Sequence, residues 1–158
     1  MQSVNIPIIR AYRPTDLDAV ISIFSTAIRE TASRDYTPAQ IDAWARVDRD
    51  RWALRRLSRP TWIAVVDELP VGLTDLEPDG HLDMMFVRPA HQGAGVATAL
   101  FNTVEAAARA QNLSRIFTEA SITARPFFER RGFCVVGAQL AGEGGPQLMI
   151  YRMEKILR

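Results

Sequence analysis

Cysteine is nearly absent. Cys134 is the single one in 158 residues, which excludes an intramolecular disulfide, cannot alone build a zinc site, and points to a reducing compartment. Neither sign of charge is in excess, with 19 basic against 18 acidic residues, so the whole-molecule field gives no reason to expect nucleic acid or a membrane surface as partner. Long apolar runs are missing too: no stretch approaches the roughly 18 uninterrupted apolar residues of a membrane span. The opening Met1-Gln2-Ser3-Val4-Asn5-Ile6-Pro7 lacks the basic-then-apolar order of a signal peptide. The only histidines, His81 and His91, stand apart from other ligand types, so no metal is expected. What is present is 47% hydrophobic and 23% charged composition, enough for one core and one domain over residues 1–158, with a cytoplasmic location expected.

Periodicity orders the chain. A strand around Ile8 to Ala11 leads to Thr15-Asp16-Leu17-Asp18, a helix start with Thr15 as cap, followed by Leu17, Val20, Ile21, Phe24 and Ile28 on one helical face. Thr37-Pro38-Ala39-Gln40 is a capping box with proline at the first helical position, and a third helix is expected from Asp48 to about Leu57. The arginines at 46, 49, 51, 55, 56 and 59 around it read as a solvated face, or as a patch for an acidic partner; Trp44 and Trp52 read as core. Strand-like stretches follow at 61–66, 71–76 and 81–87, with Glu68-Leu69-Pro70 and Pro78-Asp79-Gly80 as turns. A long helix from Val96 to Gln111 is expected to end at Asn112 in a left-handed cap. Then come a strand at 115–120, a helix at 124–131 ending at Gly132, and strands at 133–138 and 147–153 around the turn Gly142-Glu143-Gly144-Gly145-Pro146, with Cys134 on a buried strand.

The informative stretch runs from Phe86 to Ala97, where a strand ends, a small-residue loop turns, and a long helix begins at once. The first N–H groups of a helix have no internal partner and its dipole favours anions, while Gly93, Ala94, Gly95 and Ala97 keep side chains from obstructing a phosphate. A pyrophosphate is the natural guest. A Walker loop would need Lys-Ser/Thr after Gly95, where Val96 and Ala97 stand; a dinucleotide fingerprint would need glycine at Thr98.

Val87-x-Pro89 followed by Gln92-Gly93-Ala94-Gly95-Val96-Ala97 resembles the central signature of the GNAT N-acetyltransferases. The stretch Ala124-Arg125-Pro126-Phe127-Phe128-Glu129-Arg130-Arg131-Gly132-Phe133 is similar to their second. Within that superfamily, Tyr36-Thr37-Pro38 paired with the second stretch resembles the bacterial YafP type. The resemblance implies a mixed α/β fold, with a mostly antiparallel sheet of about seven strands flanked by helices and splayed between strands 4 and 5. It implies acetyl-CoA as cofactor, held by Gln92, Gly93, Ala94, Gly95, Val96, Ala97 and Thr98, with Ser121 and Phe128 beside its arm. The pantetheine would pair with the free edge of Met85, Phe86 and Val87, where an N–H near Met85 would polarise the thioester carbonyl. It implies N-acetylation of an amine on a small molecule, peptide or protein by direct attack in a ternary complex.

Such attack needs a base for the ammonium. Glu119 and Asp83 are the candidate base or amine-binding carboxylates, with Tyr36 and His81 next; each carboxylate also reads as a solvated strand-end charge. The family's thiolate-protonating tyrosine corresponds to Phe128 here, and its preceding asparagine to Ser121, so the proton donor would be Tyr36, water or no group at all. That departure keeps open a non-catalytic acyl-CoA-binding module. A nucleic-acid-binding domain built on the arginine-rich helix is the third reading, disfavoured by the balanced charge. The sequence leaves the oligomeric state open, a homodimer included.

Overall fold

The computed structural model describes residues 6–142 and 145–158. Glu143 and Gly144, in the middle of the glycine-rich turn expected between the last two strands, lie outside the described residues. The elements run β1 (Ile8–Ala11), α1 (Leu17–Glu30), α2 (Pro38–Trp44), α3 (Arg49–Ser58), β2 (Thr61–Val66), β3 (Leu69–Asp75), β4 (Met85–Val87), α4 (Val96–Ala110), β5 (Arg115–Ser121), α5 (Arg125–Arg130), β6 (Cys134–Ala141) and β7 (Leu148–Ile156). The order is the one the periodicity predicts.

Local chemistry sets most boundaries. Thr37 Oγ1 accepts the Gln40 N–H at 3.2 Å while Gln40 Oε1 accepts the Thr37 N–H at 2.8 Å, closing the expected capping box. Asp48 caps α3 by accepting from the Arg51 N–H. Thr15 is not the cap of α1: residues 14–16 form a 3₁₀ turn, and Asp16 takes the Arg13 N–H and the Arg10 guanidinium, each at 2.8 Å. Asp67 and Glu68 both adopt positive φ, a two-residue turn that starts β3 at Leu69, earlier than the expected Glu68-Leu69-Pro70 turn allows. Asn112 takes the expected left-handed conformation after α4.

The strands form two antiparallel sheets, ordered β1-β2-β3-β4 and β5-β7-β6. They are joined by one parallel bridge, where the Leu82 N–H donates to Phe117 O at 2.8 Å and the Phe117 N–H to Gly80 O at 3.0 Å. Beyond it β4 and β5 part. The strand expected over 81–87 is therefore shortened to Met85–Val87, for a reason visible in side chains. Asp75 Oδ1 accepts the N–H groups of Asp83 and Met84 at 2.9 Å each. Thr118 Oγ1 donates to Leu82 O and Thr74 Oγ1 to Met84 O, both at 2.7 Å. The N–H groups of 82–84 and the carbonyls of Leu82 and Met84 are satisfied by these side chains and the one bridge, so β4 lifts away from β5.

Helix α1 packs Phe24 and Ile28 against Ile63, Leu73 and Met84 on one side of the first sheet. Helix α4 packs Val96 and Leu100 against Ala64, Val71 and Val87 on the other. A Cβ on Gly72 would stand 3.0 Å from the Leu100 side chain, so glycine there lets α4 sit close to β3. Trp52 is buried as expected. Cys134 is exposed, contrary to the expectation of a buried strand, because β6 is an edge paired on one side only. Arg56, expected on a solvated face, is 2% exposed.

Candidate functional site at the strand divergence

A cleft of about 450 Å³ follows the divergence. It runs from the C-terminal turn of α1 past β4 and the first turn of α4 and along α5 as far as Arg131. Met85, Phe86 and Val87 form one wall, as expected of an exposed strand edge.

The floor is the loop before α4. Gly93 and Gly95 have φ of +78° and +81°, and a Cβ on either would meet nothing within 4 Å. Glycine is needed for backbone conformation there, and the space above is left free. The first helical bond runs from the Ala99 N–H to Gly95 O. The N–H groups of Val96, Ala97 and Thr98 therefore have no partner among the described residues, at the positive end of a 15-residue helix. All three residues line the cleft with Gly93, Gly95 and Gln92, whereas Ala94 does not and is exposed. Gln92 Nε2 donates to Thr31 Oγ1 at 3.0 Å, tying the loop to the end of α1.

Two cationic groups here escaped the sequence reading. Arg130 and Arg131 both line the cleft. Arg131 stands 3.7 Å over the Phe127 ring and hydrogen-bonds Thr98 Oγ1 in the first turn of α4. Burial, with repulsion from Arg130, lowers the Arg131 pKa. The signal was two arginines before the closing glycine of the second motif, readable only once α5 is known to lie against α4. His91 Nδ1 is also buried, with no hydrogen-bond partner among the described residues, and its residue lines the cleft.

Ser121 and Phe128 both line the cleft. Ser121 Oγ accepts the Ala124 N–H at 3.0 Å, which leaves its own proton free to donate. Phe128 is buried with Phe127 and Phe133, its ring centroid 5.2 and 5.0 Å from theirs. Tyr36 is also buried, outside the cleft lining. Its hydroxyl donates to Met149 O at 2.8 Å and accepts the Ile122 N–H at 2.9 Å, bridging β7 to the residue after β5. Burial raises its pKa.

Asp83 and Glu119 do not line the cleft; each lies two residues past the bridge between His81 and Phe117, where the sheets diverge. Glu119 Oε2 lies 2.5 Å from His81 Nε2, and His81 Nδ1 lies 2.8 Å from Glu77. Arg59 reaches Glu77 at 2.6 Å and Asp83 at 3.4 Å. The structure thus brings Asp83, Glu119 and His81 into one network, linked by Arg59 and Glu77, and sets Tyr36 apart. The His81 ring stacks on Phe117 at 5.0 Å. Burial pulls the His81 pKa down, but bonds to Glu77 and Glu119 outweigh it and the net shift is upward.

The Acetyltransferase (GNAT) domain family matches residues 32–157. An uncharacterized N-acetyltransferase, YafP of Escherichia coli (strain K12), is 39% identical over 131 residues, 83% of each chain. A solved GCN5-related N-acetyltransferase from Rhodopseudomonas palustris, also described as an aminotransferase of class II, superposes with a TM-score of 0.93 at 31% identity over 99% of both chains. The PaiA N-acetyltransferase of Thermoplasma acidophilum, solved with coenzyme A, has a TM-score of 0.75 at 16% identity, covering 96% of this chain and 99% of its own, and shares the fold. With the family model spanning residues 32–157 and a relative 39% identical over 83% of the chain, the chain belongs to the GNAT acetyltransferases.

Proposed function

We propose that the chain moves an acetyl group from acetyl-CoA to a primary amine of a small molecule or peptide, by direct attack within a ternary complex. The observation that carries this is the pairing of a single bridge at His81 and Phe117 with free N–H groups at the front of α4. A diphosphate fits the second and an amide-bearing arm fits the opened edge of β4. The unpartnered His91 nitrogen and the empty space over Gly93 and Gly95 agree with a ligand of that kind. Bound there, acetyl-CoA supplies an acetyl group activated as a thioester.

The chain's residues do the rest. Val96, Ala97 and Thr98 N–H groups, with Arg131 and Arg130, hold phosphate charge; Gln92 fixes the loop through Thr31. The edge of Met85 to Val87 orients the arm, and holding the reactants together carries much of the rate. Glu119, paired with His81, takes the proton from the amine as the new carbon–nitrogen bond forms and the carbon–sulfur bond breaks. Asp83, tethered to Arg59, is the second carboxylate that draws a cationic amine to the gap. Tyr36 has both hydrogen-bonding directions of its hydroxyl engaged, so it positions and does not donate. Phe128 has no proton to give, and the thiolate takes its proton from water.

Phe128 also favours a second reading, an acyl-CoA-binding module without turnover. Incubation with acetyl-CoA and a panel of amines, following free thiol, separates the two. The enzyme releases thiol with at least one amine, whereas the module shows thermal stabilisation by acetyl-CoA alone.

A further inference from the structure

The acceptor amine carries other groups, and one face of the second sheet bears on what they are. In the β5–β7 register Glu119 stands opposite Arg152, so their side chains share a face. That face is turned away from α4: Tyr151 packs in the cluster holding Phe101 and Phe128, while Ile150 packs in the cluster holding Tyr36. Opposite charges so placed ordinarily pair. Here Glu119 turns to His81, and Arg152 turns the other way, over β6.

The guanidinium lies on Gly137. A Cβ there would overlap Nη2 and stand 3.1 Å from Cζ and 3.2 Å from Nε, so glycine is what admits the arginine. The strand beneath, Cys134–Ala141, carries no charge of its own. Arg115 and Glu154, the neighbouring charges on this face, are bonded to each other at 2.7 Å. Arg152 is left exposed, with no acidic partner among the described residues.

We infer that Arg152 holds the anionic end of the acceptor, which is an amine that also bears a carboxylate. The inference rests on the acetyl-transfer reading above. An arginine fork suits a carboxylate, which it can meet with two parallel hydrogen bonds. From β5 to Gly137 is two strand spacings, about 10 Å. A residue in extended chain covers roughly 3.3–3.6 Å, so the acceptor is a short peptide or an ω-amino acid, too long to be an α-amino acid.

The test is a ladder of glycine, diglycine, triglycine and 6-aminohexanoate, each as free acid and as carboxamide, with acetyl-CoA as donor. The expected result is a preference for the acid of about tenfold in kcat/KM, carried by KM and confined to the longer members, the size of one charge-assisted contact. Arg152→Met and Gly137→Val should each bring the acid-to-amide ratio towards one, and Arg152→Lys should restore part of it. Equal use of acid and amide at every length, or a ratio that Arg152→Met does not move, overturns the inference and leaves acetyl transfer standing. Turnover of no member while some other amine of the panel is acetylated overturns the inference alone, and turnover of no amine at all, while acetyl-CoA still stabilises the protein, overturns both.

Discussion

Arg56 Nη1 donates to Asp75 Oδ2 at 3.0 Å, and both side chains are wholly sealed from solvent. The other oxygen of Asp75 holds the N–H groups of Asp83 and Met84. Burial raises the Asp75 pKa, while Arg56 and these two N–H groups pull it down without offsetting that rise. A buried pair of this kind adds little over an apolar substitute, but losing one partner is costly. Its consequence is shape: it draws β4 off the ladder and opens the cleft. Asp75→Ala should lose about 3–5 kcal/mol in urea unfolding, because it strands Arg56 and two backbone donors. Asp75→Asn keeps an acceptor and should lose less. A loss under 1 kcal/mol for Asp75→Ala, on the order of a surface change, would show that the pair does not hold the segment before β4.

Glu119→Gln keeps the shape of the side chain and removes its basicity. Turnover should fall by about 10² to 10⁴, the range for a positioned base, with the apparent affinity for acetyl-CoA little changed. Asp83→Asn should act mainly through KM for the amine. If the two variants exchange these signatures in steady-state kinetics, the base is Asp83.

His81 gives a pH dependence whose sign follows from its raised pKa. The folded protein binds that proton more tightly than the unfolded chain, whose histidine titrates near 6.5. The stabilisation is fully present below that value and is lost as pH rises through the folded pKa. Unfolding free energies of the protein and of His81→Gln, measured from pH 5.5 to 9, should therefore converge as pH rises. A gap that widens with pH would mean that the carboxylates do not hold His81 in its charged form.

What the sequence shows of this site divides by the range of the interactions. The loop from Gln92 to Ala97 is legible because its glycines, its strand and its helix are neighbours in the chain, and a strand-to-helix loop is a local object. The same holds for the capping box at Thr37. The carboxylate network beside the bridge is not local: Arg59, Glu77, His81, Asp83 and Glu119 meet through strand pairing across the two sheets. Arg56 is hidden among six arginines that share a helix and its flanks, and nothing in their spacing says which one turns to Asp75. The length of β4 fails for a related reason, since Asp75, Thr74 and Thr118 take its hydrogen bonds from neighbouring strands.

Gly95→Val forces a β-branched residue into a left-handed backbone, and should cost about 1–2 kcal/mol of stability from strain alone. No atom stands within 4 Å of the new Cβ, so the protein should still fold. Affinity for coenzyme A, measured by titration calorimetry on the folded variant, should nonetheless drop by more than about tenfold, as one charge-assisted phosphate contact is lost. Unchanged affinity would remove the loop from the cofactor site and the acetyl-CoA assignment with it.

Tyr36→Phe separates positioning from acid catalysis. Removing the hydroxyl leaves the Ile122 N–H and Met149 carbonyl without their shared partner, at a cost of about 1–3 kcal/mol. The ends of β5 and β7 should loosen, and turnover should fall as the cleft loses its upper strut. The basic limb of the kcat profile should keep its position, because a hydroxyl already donating to a carbonyl, with a pKa raised by burial, is not the group that titrates. A basic limb that vanishes in Tyr36→Phe would instead make this tyrosine the acid that Phe128 cannot be, and the bond to Met149 would then have to break in each turnover.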